Sequence, residues 1–229
     1  MAAPTVTSFS LRLLAVVCMF ADHAGVHLPD PWSVPLRCVG RLAMPLFCFL
    51  IGEGMHHTAD RRKYLFRLGV FAVLSEPAFD LFRTGRFVDW EHQNVFLTLL
   101  LGAAALWLYE EAVKTGRAAL GLYALIACGV MAELIRADYG LFGVAWIAVF
   151  AFFRGQPHRR ASVFLLITGL YSLLMPGRWM LIGLFAGLAI VPASLYNGRH
   201  GPKHRALQFA FYLFYPAHLL GLYWWAWVR

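Results

Sequence analysis

The sequence has few charged side chains for its length. Of its 229 residues only 14% are Asp, Glu, Lys or Arg, while 60% are hydrophobic. An ordinary soluble domain contains about 25% charged and about 45–50% apolar residues. A soluble fold of this size could not bury so much apolar surface, so the composition excludes most soluble enzymes and predicts a chain that lies in a lipid bilayer.

Cysteine motifs and metal motifs are also missing. The four cysteines form no CxxC pair, and three of them lie inside apolar runs. They are typical of small buried side chains and indicate neither a disulfide framework nor a zinc site. The histidines of the basic loops form no HExxH pattern, so no metal site is predicted.

The first apolar run lacks the features of a cleaved signal peptide. Its uncharged start, residues 1–10, is followed by Arg12, Asp22 and His23 within the run. A signal peptide has a purely apolar core and a small-residue cleavage site. We therefore expect this segment to stay in the protein as its first membrane helix.

Apolar runs separated by turn-forming residues predict an all-α, polytopic membrane bundle of about nine spanning helices. The sixth and seventh runs are short for a bilayer, which leaves a count of eight to ten open. Few residues remain for a soluble part, so residues 1–229 are predicted to form one domain. The predicted spans are 8–28, 36–55, 64–82, 94–112, 118–135, 140–153, 161–175, 179–196 and 206–228.

The charges of the connecting loops predict the orientation of the bundle. Because cytoplasmic loops are rich in Lys and Arg, the amino terminus is predicted to lie in the cytoplasm. The net charge of +8 then reflects this bias and the anionic lipid surface, and no nucleic-acid partner is predicted. The connections after spans 2, 4, 6 and 8 carry Arg61, Arg62, Lys63, Lys114, Arg117, Arg154, Arg159, Arg160, Arg199, Lys203 and Arg205, and the opposite connections carry Arg83, Arg86, Arg136 and Arg178.

Polar side chains collect at one predicted depth, in the outer half of the bilayer. Such groups are costly in hydrocarbon, so each is a candidate for function. His23 is the candidate general base, because imidazole titrates near neutrality, and Glu76 or Asp80 is the expected partner that orients it. Glu76 and Asp80 are four residues apart and share one helix face. The set at this depth comprises Asp22, His23, Arg41, Glu76, Asp80, His92, Gln93, Asn94 and His218.

A cluster of basic side chains lies at the predicted inner ends of spans 1 to 3. Arg12, Lys63 and Arg67, with Glu53 nearby, are able to hold a polyanion such as a nucleotide phosphate. The alternative is the positive-inside signal together with a structural ion pair between Arg12 and Glu53. Arg12 and His23 are eleven residues apart on nearly one helix face, a rise of about 16 Å, so this face links the two clusters.

Several motifs resemble those of the TraX family of membrane proteins from conjugation systems. They occur in the family's order and extend over nearly all the chain, although residues 99–196 are similar mainly in hydropathy. The motifs lie at Leu11–Gly25, Gly40–Gly54, Tyr64–Leu68, Ser75–Asp80, His92–Phe96 and Tyr212–Leu219.

This resemblance implies an enzyme of the bacterial inner membrane that acetylates the amino terminus of a hydrophobic pilin subunit. The TraX family in turn resembles the transmembrane acyltransferases, whose first helix has a basic residue, ten further residues and then a histidine. Arg12 and His23 share that spacing. The wider family implies acetyl-coenzyme A as a cytoplasmic acyl donor and an acceptor near the opposite face of the membrane.

The expected mechanism uses His23 as a general base or as a transient acyl carrier. Tyr215 and His218, from the last motif, are assigned to substrate contact or to the structure. Two alternatives stay open, which are a non-catalytic factor for pilin maturation or assembly and a small proton-coupled transporter. The side chains expected to stabilise the oxyanion of the tetrahedral intermediate are Arg41, His92, Gln93 and Asn94.

Overall fold

A computed structural model describes residues 5–202 and 204–228, without the side chain of Arg205. Lys203, predicted to lie in a cytoplasmic loop, falls outside these residues. Within them the all-α prediction is confirmed, and the β-type pairing consists of isolated bridges. The helices are α1 (Ser8–His27), α2 (Ser33–Gly40), α3 (Ala43–His57), α4 (Arg61–Thr84), α5 (Val95–Lys114), α6 (Ala118–Leu134), α7 (Gly140–Phe152), α8 (Pro157–Leu173), α9 (Arg178–Leu184), α10 (Ile190–Ser194) and α11 (Arg205–Tyr223).

The second predicted span is two helices rather than one. The α-helix is interrupted at Arg41 and Leu42, between α2 and α3. Pro45 lies at the third residue of α3 and has no backbone N–H, so the helical hydrogen bond to the carbonyl of Arg41 cannot form. On either side of this break, α2 packs against α1, and α3 continues into the bundle against α1, α5 and α7.

The eighth predicted span is also irregular. A 3₁₀ segment, Phe185–Ala189, joins α9 to α10. Pro192 removes the helical hydrogen bond to the carbonyl of Leu188, which favours the tighter winding of the preceding turn. Gly183 of α9 allows a close approach to α8, since a Cβ there would lie 2.9 Å from the hydroxyl of Ser172.

Three segments among the described residues are long and apolar enough to cross a membrane. They are Ser8–His27, Ser33–His57 and Val95–Lys114, and shorter apolar helices follow them in the chain. Large apolar side chains such as Val73, Leu134 and Leu173 are exposed on the outer surface of the bundle. The composition and these surfaces indicate a membrane protein, while the number of spans, the single domain and the orientation stay predictions.

The bundle has a basic end and a polar end. At the basic end the start of α1, the end of α3 and the start of α4 meet, and Arg154 from the α7–α8 connection binds Glu53 of α3. Arg61 of α4 pairs there with Glu110 of α5. At the polar end the carboxyl-terminal halves of α1 and α4 meet α2 and the start of α5. Basic loops therefore gather at one end, the arrangement on which the predicted orientation depends.

Aromatic side chains fill the centre between the two ends. Trp146, Phe49 and Phe150 are among the largest fully buried side chains. Small residues let the central helices approach each other, since a Cβ at Gly102 of α5 or Gly143 of α7 would overlap a neighbouring side chain. This packing fixes the relative positions of α3, α5 and α7, which support the site.

Candidate functional site

His23 of α1 and His218 of α11 form a hydrogen-bonded pair at the polar end. The Nδ1 atom of His23 lies 2.7 Å from Nε2 of His218, and the two rings stack with their centroids 4.9 Å apart. The prediction that Glu76 or Asp80 orients His23 is wrong, because both carboxylates have other partners. His218, assigned above to the substrate or the structure, is the partner of His23.

The hydrogen bonds of this pair define the tautomer of each ring. Nδ1 of His218 lies 2.8 Å from the backbone carbonyl of Phe214, which can only accept, so this nitrogen carries a proton. In neutral His218 the other nitrogen, Nε2, is then a bare acceptor, and Nδ1 of His23 donates to it. Nε2 of neutral His23 therefore keeps its lone pair. The His23 residue as a whole is partly exposed.

Asp22, which directly precedes His23 in the sequence, has two structural partners. Its carboxylate forms ion pairs with Arg37 of α2, at 3.4 Å, and with Arg41, which directly follows α2. Gly40 makes this contact feasible, because a Cβ there would overlap Asp22. The Arg41 guanidinium also lies 5.8 Å from the ring centre of Tyr139. Arg41 is thus committed to a buried ion pair and is not aimed at a substrate as an oxyanion donor.

Arg37 was missed by sequence reasoning, although a signal was present. Arg37 and Arg41 are four residues apart, so they share one face of a helix. Span 2 is predicted to begin at residue 36, which puts Arg37 at the margin of the span. The helix face that Arg37 shares with Arg41 is therefore not evident from the predicted span. The pair is what anchors α2 to α1.

Glu76 and Asn94 connect α4 to the start of α5. The side-chain amide of Asn94 donates to Glu76 and to the carbonyl of Ala72, at 2.7 Å for the latter. Its side-chain oxygen accepts from the N–H of Phe96 and caps α5. Asn94 is therefore fully used in positioning the helix, and the expectation that it donates to an oxyanion is wrong.

Asp80, one turn after Glu76, holds the loop between α4 and α5. Its carboxylate accepts a hydrogen bond of 2.9 Å from the backbone N–H of Asp89. The role is local, since the loop returns from α4 to the start of α5. Glu76 and Asp80 thus fix the backbone around the site, and neither contacts His23.

His92 and Gln93 lie in the same loop, away from the histidine pair. Gln93 exchanges backbone hydrogen bonds of 3.0 Å with Arg136 and Asp138, and its side chain donates to the carbonyl of Trp90. Burial and nearby arginines lower the pKa of His92 from its ordinary value. The two side chains are on the rim of the polar end, and the structure does not bring them together with His23.

A cavity of about 340 Å³ runs through the bundle from the basic end toward the histidine pair. Two of the predicted cations, Arg12 and Arg67, line it near the basic end, and apolar side chains form most of its wall. Its deep end lies one turn of α1 before His23. The lining residues there are Met19, Val95, Phe96, Leu99 and Tyr215.

The cations of the cavity have aromatic neighbours. The guanidinium of Arg12 lies 5.3 Å from the ring centre of Phe211, and that of Arg67 lies 5.4 Å from Tyr64 and 5.9 Å from Tyr212. An adjoining space of about 280 Å³ shares Arg12 with the cavity. His57, His200 and Gln208 line both spaces and were not predicted as site residues.

Glu53 and Lys63, which were predicted to lie in the same cluster as these cations, bind other side chains. Glu53 binds Arg154 through bonds of 2.7 and 3.0 Å, so the alternative of a structural pair between Arg12 and Glu53 is wrong. The side chain of Lys63 is 84% exposed and pairs with Asp60 at the start of α4. Lys63 does not line the cavity.

Among residues 5–202 and 204–228, no group of His, Cys, Asp or Glu is arranged to hold a metal ion.

Comparison with known proteins gives one family and two relatives. The family model described as TraX protein matches residues 8–225. The probable fimbrial assembly protein FimC, serogroup H1, of Dichelobacter nodosus is 29% identical over 93% of each chain. The uncharacterized protein RP591 of Rickettsia prowazekii (strain Madrid E) is 27% identical over 46% of this chain and 38% of its own. No solved structure matches.

Proposed function

This chain belongs to the TraX family, and on that premise we propose that it is a membrane-embedded acyltransferase of pilin maturation. It transfers an acetyl group from acetyl-coenzyme A to the terminal amine of a hydrophobic pilin subunit. It lies in the bacterial inner membrane with its amino terminus in the cytoplasm. The relative named as a fimbrial assembly protein supports a role in pilus biogenesis. The proposed chemistry rests on one observation. A cavity links Arg12 and Arg67 to the vicinity of the His23–His218 pair.

The donor enters from the basic end. Its phosphates bind Arg12 and Arg67, since no carboxylate of the described residues pairs with these guanidinium groups and such groups are suited to a polyanion. The pantetheine arm then follows α1 along the largely apolar wall. The rise from Arg12 to His23 is about 16 Å, which such an extended arm can span. The adjoining polar space takes part of the nucleotide.

The histidine pair performs the proton transfers. Nε2 of His23 takes a proton from the acceptor amine as the amine nitrogen bonds to the thioester carbonyl carbon. His218 keeps His23 in the required tautomer and shares the resulting positive charge. When the tetrahedral intermediate collapses, the carbon–sulfur bond breaks and His23 returns the proton to the leaving thiolate. His23 ends neutral, ready for another cycle.

The acceptor reaches His23 from the side of the bundle. His23 is partly exposed, and Phe20 and Val26 on the same helix expose apolar side chains. A hydrophobic pilin subunit in the bilayer is matched to such a surface. Its terminal amine then approaches Nε2 without crossing the bundle.

Intact-mass analysis of pilin from cells with and without the gene tests this function. We expect one acetyl group on the terminal amine with wild-type protein and none with His23→Ala. The matched control is His27→Ala, one turn further along α1, because His27 packs against Phe82 and Trp227 outside the pair. Acetylated pilin in the His23→Ala strain would contradict the assignment of the base.

A non-catalytic assembly factor is the second candidate. The name of the fimbrial assembly relative favours it, since that name states no chemistry. It predicts that loss of the gene abolishes pili while pilin carries no acetyl group in any strain. The transporter alternative has no such support, because Asp22, Glu76 and Asp80 each have a fixed hydrogen-bond partner among the described residues.

A further inference from the structure

Tyr215 of α11 carries a buried hydroxyl that the fold does not use. The residue is 3% exposed, and in the described part of the chain its hydroxyl has no hydrogen-bond partner of normal geometry. The ring lies 6.2 Å from His23 and 5.7 Å from His218, measured between ring centroids. Leaving a polar group unpaired in an apolar interior is unfavourable, so a hydroxyl kept at this place requires a reason.

The hydroxyl faces the start of α5 at the deep end of the cavity. Tyr215 and Val95, the first residue of α5, both line the cavity, and the hydroxyl lies against the backbone of Val95. The N–H groups of Phe96 and Leu97 are already bound by the side chain and the carbonyl of Asn94. The N–H of Val95 thus points toward Tyr215, with the positive end of the helix dipole behind it.

We propose that the Tyr215 hydroxyl and the Val95 N–H stabilise the oxyanion of the acyl-transfer reaction, an inference that rests on the proposed function. The donor's thioester carbonyl lies at the deep end of the cavity with its oxygen toward these two groups. When the amine attacks, the carbon–oxygen double bond becomes a single bond and its electron pair moves to oxygen. Both donors stabilise that negative charge until the carbon–sulfur bond breaks.

This site replaces the donors expected from the sequence. Arg41 and Asn94 are committed to Asp22 and Glu76, and His92 and Gln93 lie on the rim of the polar end. Asn94 and Glu76 nevertheless contribute, because they fix the start of α5 and so aim the Val95 N–H. They are positioning residues, while Tyr215 contacts the reacting oxygen.

The test is Tyr215→Phe, which removes one oxygen atom. Purified protein is assayed for acetyl transfer to a pilin-derived peptide, for coenzyme A binding and for thermal unfolding. We expect kcat to fall on the order of 100-fold, with unchanged donor affinity. We also expect an unchanged or higher Tm, since the change removes an unpaired buried hydroxyl. Tyr196→Phe is the matched control, because that hydroxyl is also buried and unpaired but lies outside the cavity lining.

Each outcome decides between this inference and the function on which it rests. A lower kcat with a retained Tm, seen for Tyr215→Phe and not for Tyr196→Phe, supports the oxyanion site. Wild-type kcat in Tyr215→Phe, with no activity in His23→Ala, overturns the oxyanion site alone. A decrease in the Tm of Tyr215→Phe that is large enough to account for the lost activity also overturns the oxyanion site, because the role of Tyr215 would then be structural. Wild-type protein that neither binds coenzyme A nor transfers acetyl overturns both.

Discussion

The carboxylates of the polar end and two cations of the basic end differ in whether they have partners. At the polar end Asp22 pairs with two arginines and Glu76 accepts a hydrogen bond from Asn94, so these carboxylates are bound inside the protein. At the basic end, no described carboxylate pairs with Arg12 or Arg67, whose neighbours are aromatic rings around a cavity. Matched charges hold helices together, whereas unmatched cations on a cavity are available to a ligand. Whether a charged side chain has a partner, and not its predicted depth in the membrane, distinguishes these two uses.

The largest effect is expected from breaking the matched set at the polar end. Asp22→Ala leaves Arg37 and Arg41 without a counter-ion in a largely buried place. Breaking such a pair by removing one partner costs about 3–5 kcal/mol, so the protein should unfold at a much lower temperature. Thermal unfolding in detergent measures the change. A Tm within a degree or two of wild type would show that the polar end is not held by this carboxylate.

The next effect concerns the histidine pair. His218→Phe removes the acceptor that fixes the tautomer of His23, and we expect kcat to fall by about 100-fold or more, consistent with the range for general-base catalysis. His27→Phe is the control, because it makes the same exchange on α1 outside the pair. Initial rates of acetyl transfer measure both. Equal rates for wild type and His218→Phe would mean that His23 needs no orienting partner.

A smaller effect is expected at the unmatched cations of the basic end. Arg12→Ala should weaken coenzyme A binding by about 10-fold, and the loss should shrink as salt is added. The Tm should hardly change, since Arg12 has no carboxylate partner in the described part of the chain. Lys63→Ala serves as the control, because Lys63 is exposed and lies outside the cavity. Calorimetric titrations at two ionic strengths would contradict the account if the two variants bound alike.

The smallest effect is a pH dependence in the loop beside the polar end. Burial raises the pKa of Asp138 from an ordinary value of 3.8 to about 6. The folded protein therefore holds this proton more tightly than the unfolded chain does. The stability that this provides is complete below about pH 4 and is lost as the pH rises through about 6. Asp138→Asn should flatten the profile of Tm against pH in that window, and an unchanged profile would contradict the assignment.

The sequence was sufficient to predict the helices. Hydropathy located every predicted span in a helical segment, and the helical rise placed Arg12 and His23 at opposite ends of one face. The breaks in spans 2 and 8 were not predicted, although Pro45 and Pro192 offered a signal. A proline in an apolar run leaves both a bend and an intact helix open, and packing decides between them.

The pairing of side chains was not accessible from the sequence. His23 and His218 are 195 positions apart, and nothing in a single chain states which helices are neighbours or how each is rotated. Glu76 and Asp80 lie on α4 and bind Asn94 and the N–H of Asp89, and no sequence pattern states that they do not face His23. The assignment of Tyr215 required knowing that its hydroxyl has no partner of normal geometry among the described residues, a property that only the packed bundle reveals.

Transfer of label across the cavity is the most direct test of the central claim. Purified protein in vesicles receives isotope-labelled acetyl-coenzyme A and a pilin-derived peptide with a free terminal amine, and mass spectrometry detects labelled peptide. We expect label with wild-type protein, none with His23→Ala, and unchanged donor binding in that variant. Labelled peptide formed equally well by His23→Ala, or by no form of the protein, would contradict it.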